Sequence, residues 1–443
     1  MKRRILLKEA KIVNENKVFE GDLLICGDRI EKIDQNIHYD SAELIDCKGN
    51  FLLPGCIDDQ VHFREPGLTH KANIWSESRA AVAGGITSFM EMPNTKPATL
   101  THKLLEDKYE IAKNSSMANY SFFMGTSNDN YDEIMSVNYK DVCGLKIFMG
   151  SSTGNLLVDD ENTLTKIFKN FPFLIATHCE DEKTIIQNTE YYKSQTNLNA
   201  EIHPIVRSRE ACYISSSFAT ELAKKFNTRL HILHISTAEE VALFSNDIPL
   251  SQKRITAEAC VHHLFFEDSY YKNLGNKIKC NPAIKSENDK KQIALALSKG
   301  TIDVVATDHA PHTIDEKNLD YWNAPSGLPL VQHSLQMMNT LANENSWNLE
   351  FIVEKMCHNP ALCFQITDRG FIREGYFADL ILFDNQYQDK VKKEELLYKC
   401  QWSPLEGITL TGKVMKTFVN GTCVYSDGKI CNSNVGKRLQ FNR

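Results

Sequence analysis

The sequence has 443 residues, a formal net charge of −7 and 13 cysteines. The negative balance argues against a nucleic-acid surface, which needs a basic stripe to neutralise phosphates. No segment approaches the roughly 18 apolar residues that cross a bilayer, and the cysteines form no C-x-x-C pair that would indicate a zinc site. We therefore expect a cytoplasmic protein that acts on small molecules, with no nucleic acid and no membrane as partner.

The two ends of the chain differ from its centre. Residues 1–53 alternate short strands with turns, and the segments ADLILFD and KVMKTFVNGTCVYSDGKI near the other end do the same, with N-G and D-G marking tight turns. These flanks predict one composite β-sandwich domain, built from residues 1–53 and 366–443. Residues 54–365 would then form a second domain.

In the central region, short apolar runs alternate with stretches of helical spacing that begin near serines, such as 76–85, 216–226 and 286–300. Eight strands that alternate with helices favour a (β/α)8 TIM barrel, with an open doubly wound sheet as the alternative. The candidate strands are FLLPGCI (51–57), ITSFMEM (86–92), YSFFMG (120–125), GLKIFMG (144–150), FLIATH (173–178), RLHILHI (229–235), RITAEAC (254–260) and IDVVATD (302–308).

Polar residues recur at the ends of these strands, where a parallel barrel carries its active site. Taken alone, His178 or His234 is more often a hydrogen-bonded histidine than a metal ligand. Several imidazoles and an aspartate that converge at strand ends, however, suit zinc or a similar borderline ion. The residues are Asp58, Gln60 and His62 at the first strand, Asn94 at the second, Lys146 within the fourth, His178, His234 and Asn281 at the fifth to seventh, and Asp308, His309 and His312 at the eighth.

Lys146 raises a separate question. The alternation in LKIFM puts Lys146 and Phe148 on one face of the strand, directed towards the barrel interior or its rim. The lysine could pair with a buried carboxylate. Alternatively, a desolvated and neutral lysine can add carbon dioxide, and the resulting carbamate can bridge two metal ions.

These motifs resemble the dihydroorotase family of the amidohydrolase superfamily over nearly the whole chain. DDQVHFREPG is similar to the family's D-x-H-x-H-x-R-x-P, and ATDHAPHTIDEK fits its second signature completely. MPNT, HCE, LHIST and the N-P turn at Asn281 give weaker support. The resemblance implies a metal-dependent barrel enzyme with a split β domain and, by expectation from the family, a homodimer.

The resemblance also implies a role for each site residue. His62 resembles the second histidine of the first-strand pair, His178 and His234 resemble the ligands of another metal ion, and Lys146 resembles a carboxylated lysine that bridges both. One or two zinc ions are therefore expected. Asp308 resembles the aspartate that binds metal and carries the proton. The substrate-binding positions would be Arg64, Asn94, Asn281 and His312.

The implied reaction is the reversible conversion of L-dihydroorotate to N-carbamoyl-L-aspartate in pyrimidine biosynthesis, by metal-activated water. Arg64 bears most on the choice of substrate, because a guanidinium can bind a carboxylate with two hydrogen bonds. Dihydroorotate has a ring carboxylate, whereas hydantoins and allantoin have none. Hydantoinase-like relatives usually lack this arginine.

Three departures from the family pattern stand out. The loops read NPAIK for NPPLR, and PSGLPLVQ has Leu330 and Gln332 where glycine and glutamate are common. Gln60 replaces a metal-binding histidine, and could be a weak fifth ligand or could hydrogen-bond to a neighbour. We expect the second metal ion to be held firmly and the first less tightly. The alternatives are a non-catalytic structural partner of another enzyme, or a hydantoinase or allantoinase.

Overall fold

The computed structural model describes residues 2–150, 156–158, 160–196, 198–431 and 434–443. Within them no helix is both long and apolar enough to span a membrane. The strands, in chain order, are β1 (Arg4–Asn14), β2 (Lys17–Cys26), β3 (Arg29–Asp34), β4 (Glu43–Asp46), β5 (Phe51–Pro54), β6 (Cys56–Val61), β7 (Ile86–Glu91), β8 (Asn119–Phe122), β9 (Met124–Gly125), β10 (Leu145–Phe148), β11 (Leu174–His178), β12 (Arg229–Ile232), β13 (Ile255–Cys260), β14 (Val304–Ala306), β15 (Leu380–Lys390), β16 (Thr409–Val419), β17 (Thr422–Ser426) and β18 (Lys429–Ile430).

Helices alternate with the strands through the central part of the chain. A π-helical turn, Glu354–His358, lies between the last two of them. The α-helices are α1 (Ile74–Ala83), α2 (His102–Ser115), α3 (Tyr131–Met135), α4 (Glu161–Asn170), α5 (Glu182–Lys193), α6 (His203–Val206), α7 (Arg209–Phe226), α8 (Val261–Phe265), α9 (Tyr271–Leu274), α10 (Glu287–Ser298), α11 (Ile314–Lys317), α12 (Ser334–Asn345), α13 (Leu349–Val353) and α14 (Asn359–Phe364).

Strands from both ends of the chain form one sheet, in the order β18-β17-β16-β15-β5-β1-β2-β3, with β4 beside β1. The two ends meet where β5 pairs antiparallel with β15, from Leu380 opposite Pro54 to Phe383 opposite Phe51. The expected pairing of the two β-rich flanks is therefore present. The domain limits 1–53, 54–365 and 366–443 stay a prediction.

The central strands form a closed parallel barrel. Strands β6, β7 and β8 are neighbours, and so are β9 to β14 in chain order. Since β8 and β9 are separated by Phe123 alone, they act as one strand. A parallel bridge between Val61 and His309, with the His62 N–H donating to the His309 carbonyl at 2.7 Å, joins the last strand to the first. The fold is an eight-stranded (β/α)8 barrel, and the open-sheet alternative is wrong.

The first predicted strand needs a correction, because FLLPGCI is two strands and not one. Phe51–Pro54 belongs to the terminal sheet as β5, and the barrel strand β6 starts at Cys56. The chain turns at Gly55, where an added Cβ would lie 2.0 Å from the Thr87 hydroxyl oxygen, so only glycine fits against β7. Asp58 and Gln60 consequently lie within β6 rather than after it.

Some of the helices begin at the serines from which the sequence predicted them, and others do not. Ser286 caps α10 in a reciprocal capping box with Asp289, as its position before an apolar-periodic stretch predicts. Helix α1 begins earlier than expected, because Asn73 is its N-cap and Ser76 is the third helical residue of the box. An asparagine cap gives the same backbone hydrogen bond as a serine, and the pattern alone did not distinguish them.

The last residues of the chain cover the amino end of the barrel. Leu439 and Phe441 pack in one apolar cluster with Ile57 and Leu174, which lie near the starts of their strands. The Leu439 N–H donates to the Tyr120 carbonyl at 2.9 Å. This end of the barrel is therefore filled by side chains, and the polar strand ends open at the other.

Candidate metal centre and substrate pocket

Ten of the twelve residues named from the sequence line one cavity of about 620 Å³ at the carboxyl ends of the barrel strands. Phe148 lines it as well, beside Lys146, as the strand alternation predicted. Asp58 lies outside this lining, because its carboxylate accepts a hydrogen bond from the Thr307 hydroxyl at 2.6 Å. His309 lies outside this lining, because its ring is bound to Glu77 at 2.8 Å and to the backbone N–H of Leu330 at 3.0 Å. The ten are Gln60, His62, Arg64, Asn94, Lys146, His178, His234, Asn281, Asp308 and His312.

His178 and His234 present two ring nitrogens to the same point. The Nδ1 atom of His178 lies 2.9 Å from Nε2 of His234. The other ring nitrogen of His178, Nε2, is 2.9 Å from the Glu180 carboxylate, so it carries the proton and Nδ1 keeps its lone pair. Burial lowers the pKa of both histidines, which keeps them neutral. Two buried, neutral imidazoles that converge in this way suit a metal ion.

Glu180 supports this pair from behind. Its carboxylate is fully buried and also forms an ion pair with Arg207. Burial opposes ionisation, but the Arg207 guanidinium and the hydrogen bond from His178 lower the pKa of Glu180 to about 2. A permanently ionised carboxylate on the outer ring nitrogen fixes the imidazole orientation and makes the inner nitrogen a better donor to metal.

His62 and Asp308 form a second group of candidate ligands. Nε2 of His62 lies 3.0 Å from Oδ1 of Asp308, and Nδ1 of His62 lies 2.7 Å from the side-chain oxygen of Asn94. With Asn94 as the acceptor, the His62 proton is on Nδ1, so an imidazole lone pair and a carboxylate oxygen face each other. Burial lowers the pKa of His62. Two adjacent acceptors of this kind fit a cation between them.

Gln60 sits beside this second group. Its amide nitrogen donates to Asp308 Oδ1 at 3.1 Å, and its oxygen lies 3.7 Å from the thiol of Cys260. A hydrogen bond to a neighbour, one of the two expected roles, is thus present. In this orientation the nitrogen, which cannot bind metal, faces Asp308. The role of Gln60 as a weak fifth ligand stays a prediction.

Lys146 is buried in the wall of the same cavity. The residue is 1% exposed, and Nζ has no hydrogen-bond partner among the residues that the structure describes. Nζ lies 4.6 Å from the centre of the Phe148 ring. Burial lowers the pKa of the Lys146 ammonium to about 7. A large part of this amine is therefore neutral near pH 7 and able to react with carbon dioxide.

A cluster of cationic and imidazole groups lies across the cavity. Arg64 Nη2 and Lys71 Nζ approach the two ring nitrogens of His312, at 3.0 and 2.9 Å. Glu316 pairs with Lys71 at 2.8 Å and is the carboxylate of the cluster. Burial lowers the pKa of Arg64 to about 10, which leaves it charged at neutral pH. The cluster has an excess of positive charge and suits an anionic group of a ligand.

Three of the site residues have left-handed backbones. The φ angles are 68° at Arg64, 40° at His234 and 46° at Asp308. Such conformations cost of order 1–3 kcal/mol for residues other than glycine and persist where the surrounding fold imposes them, most often at functional sites. The turns at these three strand ends direct the side chains into the cavity.

Some residues of the site were not predicted from the sequence. Glu180 had a usable signal, since it lies two positions after His178 in the HCE motif. Arg207 and Lys71 had none, because both come from loops whose spacing carries no periodicity. The barrel also contains two buried groups of metal-ligand type, Asp59 with His231 and Glu258, and Cys260 with His262 and His263.

Comparison with known proteins identifies the family. A family model described as "Amidohydrolase family" matches residues 173–424, and one described as "Dihydro-orotase-like" matches residues 49–240. The chain belongs to the amidohydrolase family. A dihydroorotase from Methanosphaera stadtmanae is 31% identical over 96% of this chain and 97% of its own, and one from Carboxydothermus hydrogenoformans is 33% identical over 95% and 98%.

A solved structure supports the same assignment. The L-hydantoinase (dihydropyrimidinase) from Arthrobacter aurescens superposes with a TM-score of 0.93 and 25% identity, over 99% of this chain and 100% of that one. The barrel and its terminal sheet are therefore the fold of a cyclic amide hydrolase. In this amidohydrolase the features that fit a bound metal ion are the two facing ring nitrogens and the Lys146 amine, which has no hydrogen-bond partner within the described part of the chain.

Proposed function

We propose that this amidohydrolase is a dihydroorotase, which interconverts L-dihydroorotate and N-carbamoyl-L-aspartate in de novo pyrimidine biosynthesis. The observation that carries the proposal is the position of Arg64. Its buried guanidinium lines the same cavity as the candidate metal ligands His178, His234 and Asp308. Curated relatives named dihydroorotase, which match over nearly the whole chain, support the same activity.

The carboxylate of dihydroorotate supplies a negative charge that matches the excess positive charge of the cluster around Arg64. Arg64 donates through Nε to the Pro311 carbonyl at 3.1 Å, which fixes the guanidinium while its other N–H groups remain available. With Asn94, Asn281 and His312 on the same cavity wall, Arg64 would hold the substrate carboxylate and direct the ring amide towards the metal centre. Fixing both ends of a substrate in this way lowers the entropic part of the barrier.

The reaction needs a nucleophile at neutral pH. A bound zinc ion supplies it, by lowering the pKa of coordinated water to about 7. Asp308 would accept the proton of the attacking water and deliver it to the ring nitrogen as the amide bond breaks. In the reverse direction Asp308 would take the proton from the ureido nitrogen as the C–N bond forms, and would return it to the departing hydroxide as the C–O bond breaks, so that water is released.

The metal centre is proposed to hold zinc, as one or two ions in each subunit. His178 and His234 would bind the second ion. His62, Asp308 and, weakly, Gln60 would bind the first, with a carboxylated Lys146 as a ligand common to both. The donor set suits zinc because imidazole nitrogens and carboxylate oxygens are its usual ligands beside thiolates. We also propose a cytoplasmic homodimer.

Two other functions are less well supported. A non-catalytic structural partner would be expected to lose most of the site, yet this chain departs from the family's ligand pattern at Gln60 alone. A hydantoinase or allantoinase is consistent with the fold of the Arthrobacter enzyme. However, its substrates have no carboxylate to occupy the cluster around Arg64.

Substitution of Arg64 separates the dihydroorotase from the hydantoinase proposal. In zinc-loaded Arg64→Met, kcat/KM for dihydroorotate should fall at least about 100-fold, because a charged two-point hydrogen bond is lost. Arg64→Lys should recover part of this loss. Dihydrouracil, which is the same ring without the carboxylate, is the control substrate and should be affected little. An equal loss for both rings would contradict carboxylate recognition by Arg64.

A further inference from the structure

Lys71 is the second cationic residue of the cluster around His312 and lines the same cavity. It follows Arg64 by seven positions, and its side chain is 12% exposed. The ammonium Nζ lies 2.9 Å from His312 Nδ1 and 2.8 Å from the Glu316 carboxylate. Lys71 therefore contacts the ring that lies beside Arg64, on the side away from the guanidinium.

Two contacts fix the position of the proton on His312. A charged ammonium has no lone pair, so Nδ1 facing Lys71 must be the acceptor. On the other side of the ring, Nε2 lies 2.9 Å from the carbonyl oxygen of Ser326, which has no hydrogen to donate. Both contacts require the same neutral tautomer, with the proton on Nε2. Burial and the charges of Arg64 and Lys71 lower the pKa of His312 well below its usual value, which also favours a neutral ring.

This tautomer determines what Arg64 can bind. Arg64 Nη2 lies 3.0 Å from His312 Nε2, and both nitrogens then carry hydrogen. The single hydrogen on Nε2 is directed to the Ser326 carbonyl, and a protonated Nε2 has no lone pair with which to accept from Arg64. The Nη2–H groups of Arg64 therefore remain available to a carboxylate in the cavity. The Nε2–H tautomer thus keeps the guanidinium available for a carboxylate ligand.

The opposite tautomer would close this site. With the proton on Nδ1, His312 could donate to Glu316, whose Oε2 is 3.8 Å away. Nε2 would then accept from Arg64 and occupy the N–H that the ligand needs. The Lys71 ammonium, between His312 and Glu316, opposes this rearrangement because it holds Nδ1 as an acceptor and keeps Glu316 occupied.

We propose that Lys71 is a positioning residue for substrate specificity: by donating to His312 Nδ1 it keeps the proton on Nε2, and so keeps the N–H groups of Arg64 available for the ring carboxylate. The identity of that carboxylate rests on the proposed dihydroorotase function. The tautomer and the binding of a carboxylate do not, and both can be measured without turnover.

Lys71→Met removes the ammonium and keeps a chain of similar length. The KM for dihydroorotate should rise by about tenfold or more, the range for loss of a charged hydrogen bond, while kcat changes by less than about threefold. Lys71→Arg retains a donor and should recover most of the affinity. Lys96→Met is the matched control, because Lys96 is an exposed lysine of the same cavity wall and its loss changes the charge equally. An equal effect of Lys71→Met and Lys96→Met would overturn the proposal.

Nitrogen NMR of the wild-type protein tests the tautomer directly and needs no active enzyme. With 15N-labelled histidine, the resonances of His312 among the 14 histidines are assigned by their loss in His312→Gln. We expect Nε2 in the range of a protonated ring nitrogen and Nδ1 in that of an unprotonated one, and weaker binding of orotate in Lys71→Met by calorimetry. A proton on Nδ1, or on both nitrogens, in the wild type would overturn the proposal even if dihydroorotate were turned over.

Discussion

Glu180 should control the affinity of the metal centre without touching the metal ion. The Glu180 carboxylate accepts a hydrogen bond from His178 Nε2, with 2.9 Å between the nitrogen and the oxygen, and the ion pair with Arg207 keeps this carboxylate ionised. Glu180→Gln retains an acceptor but removes the charge, so the hydrogen bond becomes a neutral one of about half the strength. Loss of such a supporting partner costs about 10–100-fold in metal affinity. We expect about tenfold for Glu180→Gln and nearer 100-fold for Glu180→Ala, which removes the acceptor altogether.

The dissociation constant of the tightest zinc ion, measured by competition with a chromophoric chelator, gives this effect directly. Glu240→Gln is the matched control, because Glu240 is an equally buried carboxylate whose partners are Ser216 and Thr237 rather than a predicted ligand. Its zinc affinity should stay within about twofold of wild type. If Glu180→Gln and Glu240→Gln have the same zinc affinity, Glu180 does not support His178 as a ligand.

Three further predictions concern other parts of the chain. Asp308→Ala should abolish turnover while one zinc ion remains bound, and surviving activity would refute the proton-transfer role. Gln60→His should raise the zinc content towards two equivalents and slow inactivation by chelators. Unchanged chelator sensitivity would count against weak binding of the first metal ion in the wild type. Burial lowers the pKa of His333 to about 4 from 6.5. As the pH falls, His333 is therefore protonated in the unfolded chain before it is protonated in the folded one. About 3 kcal/mol of the free energy of unfolding should be lost between pH 6.5 and pH 4. In urea titrations at these two pH values His333→Gln should lose less stability, and identical losses would contradict this prediction.

The barrel and the set of site residues could be predicted from the sequence because both depend on local patterns. Apolar runs that alternate with helical stretches indicate the strand order, and the carboxyl ends of parallel strands converge whatever the loops do. His178 and His234, 56 residues apart, could therefore be assigned to one site. The split of FLLPGCI at Gly55 could not be foreseen, since an apolar run does not reveal which of two sheets it joins.

The finer structure of the site depends on contacts between loops. Whether Gln60 presents nitrogen or oxygen to Asp308 depends on neighbours from other strands, such as Cys260. The contact between Lys71 and His312 joins two loops that are 241 residues apart. Neither arrangement leaves a periodic signal in the sequence, because side-chain partners across a barrel are set by the folded backbone and not by local spacing.

The cavity is expected to bind a cyclic amide through its carboxylate and to hydrolyse it at the metal centre. The most direct test is the turnover of dihydroorotate, carbamoyl-aspartate, hydantoin and allantoin by zinc-loaded wild-type protein, each followed by the absorbance of the ring amide. We predict turnover of dihydroorotate and ring closure of carbamoyl-aspartate, with hydantoin and allantoin at least about 100-fold slower in kcat/KM, since they lack the charged contact with Arg64. Turnover of hydantoin or allantoin in preference to dihydroorotate, or of none of the four, would contradict the account.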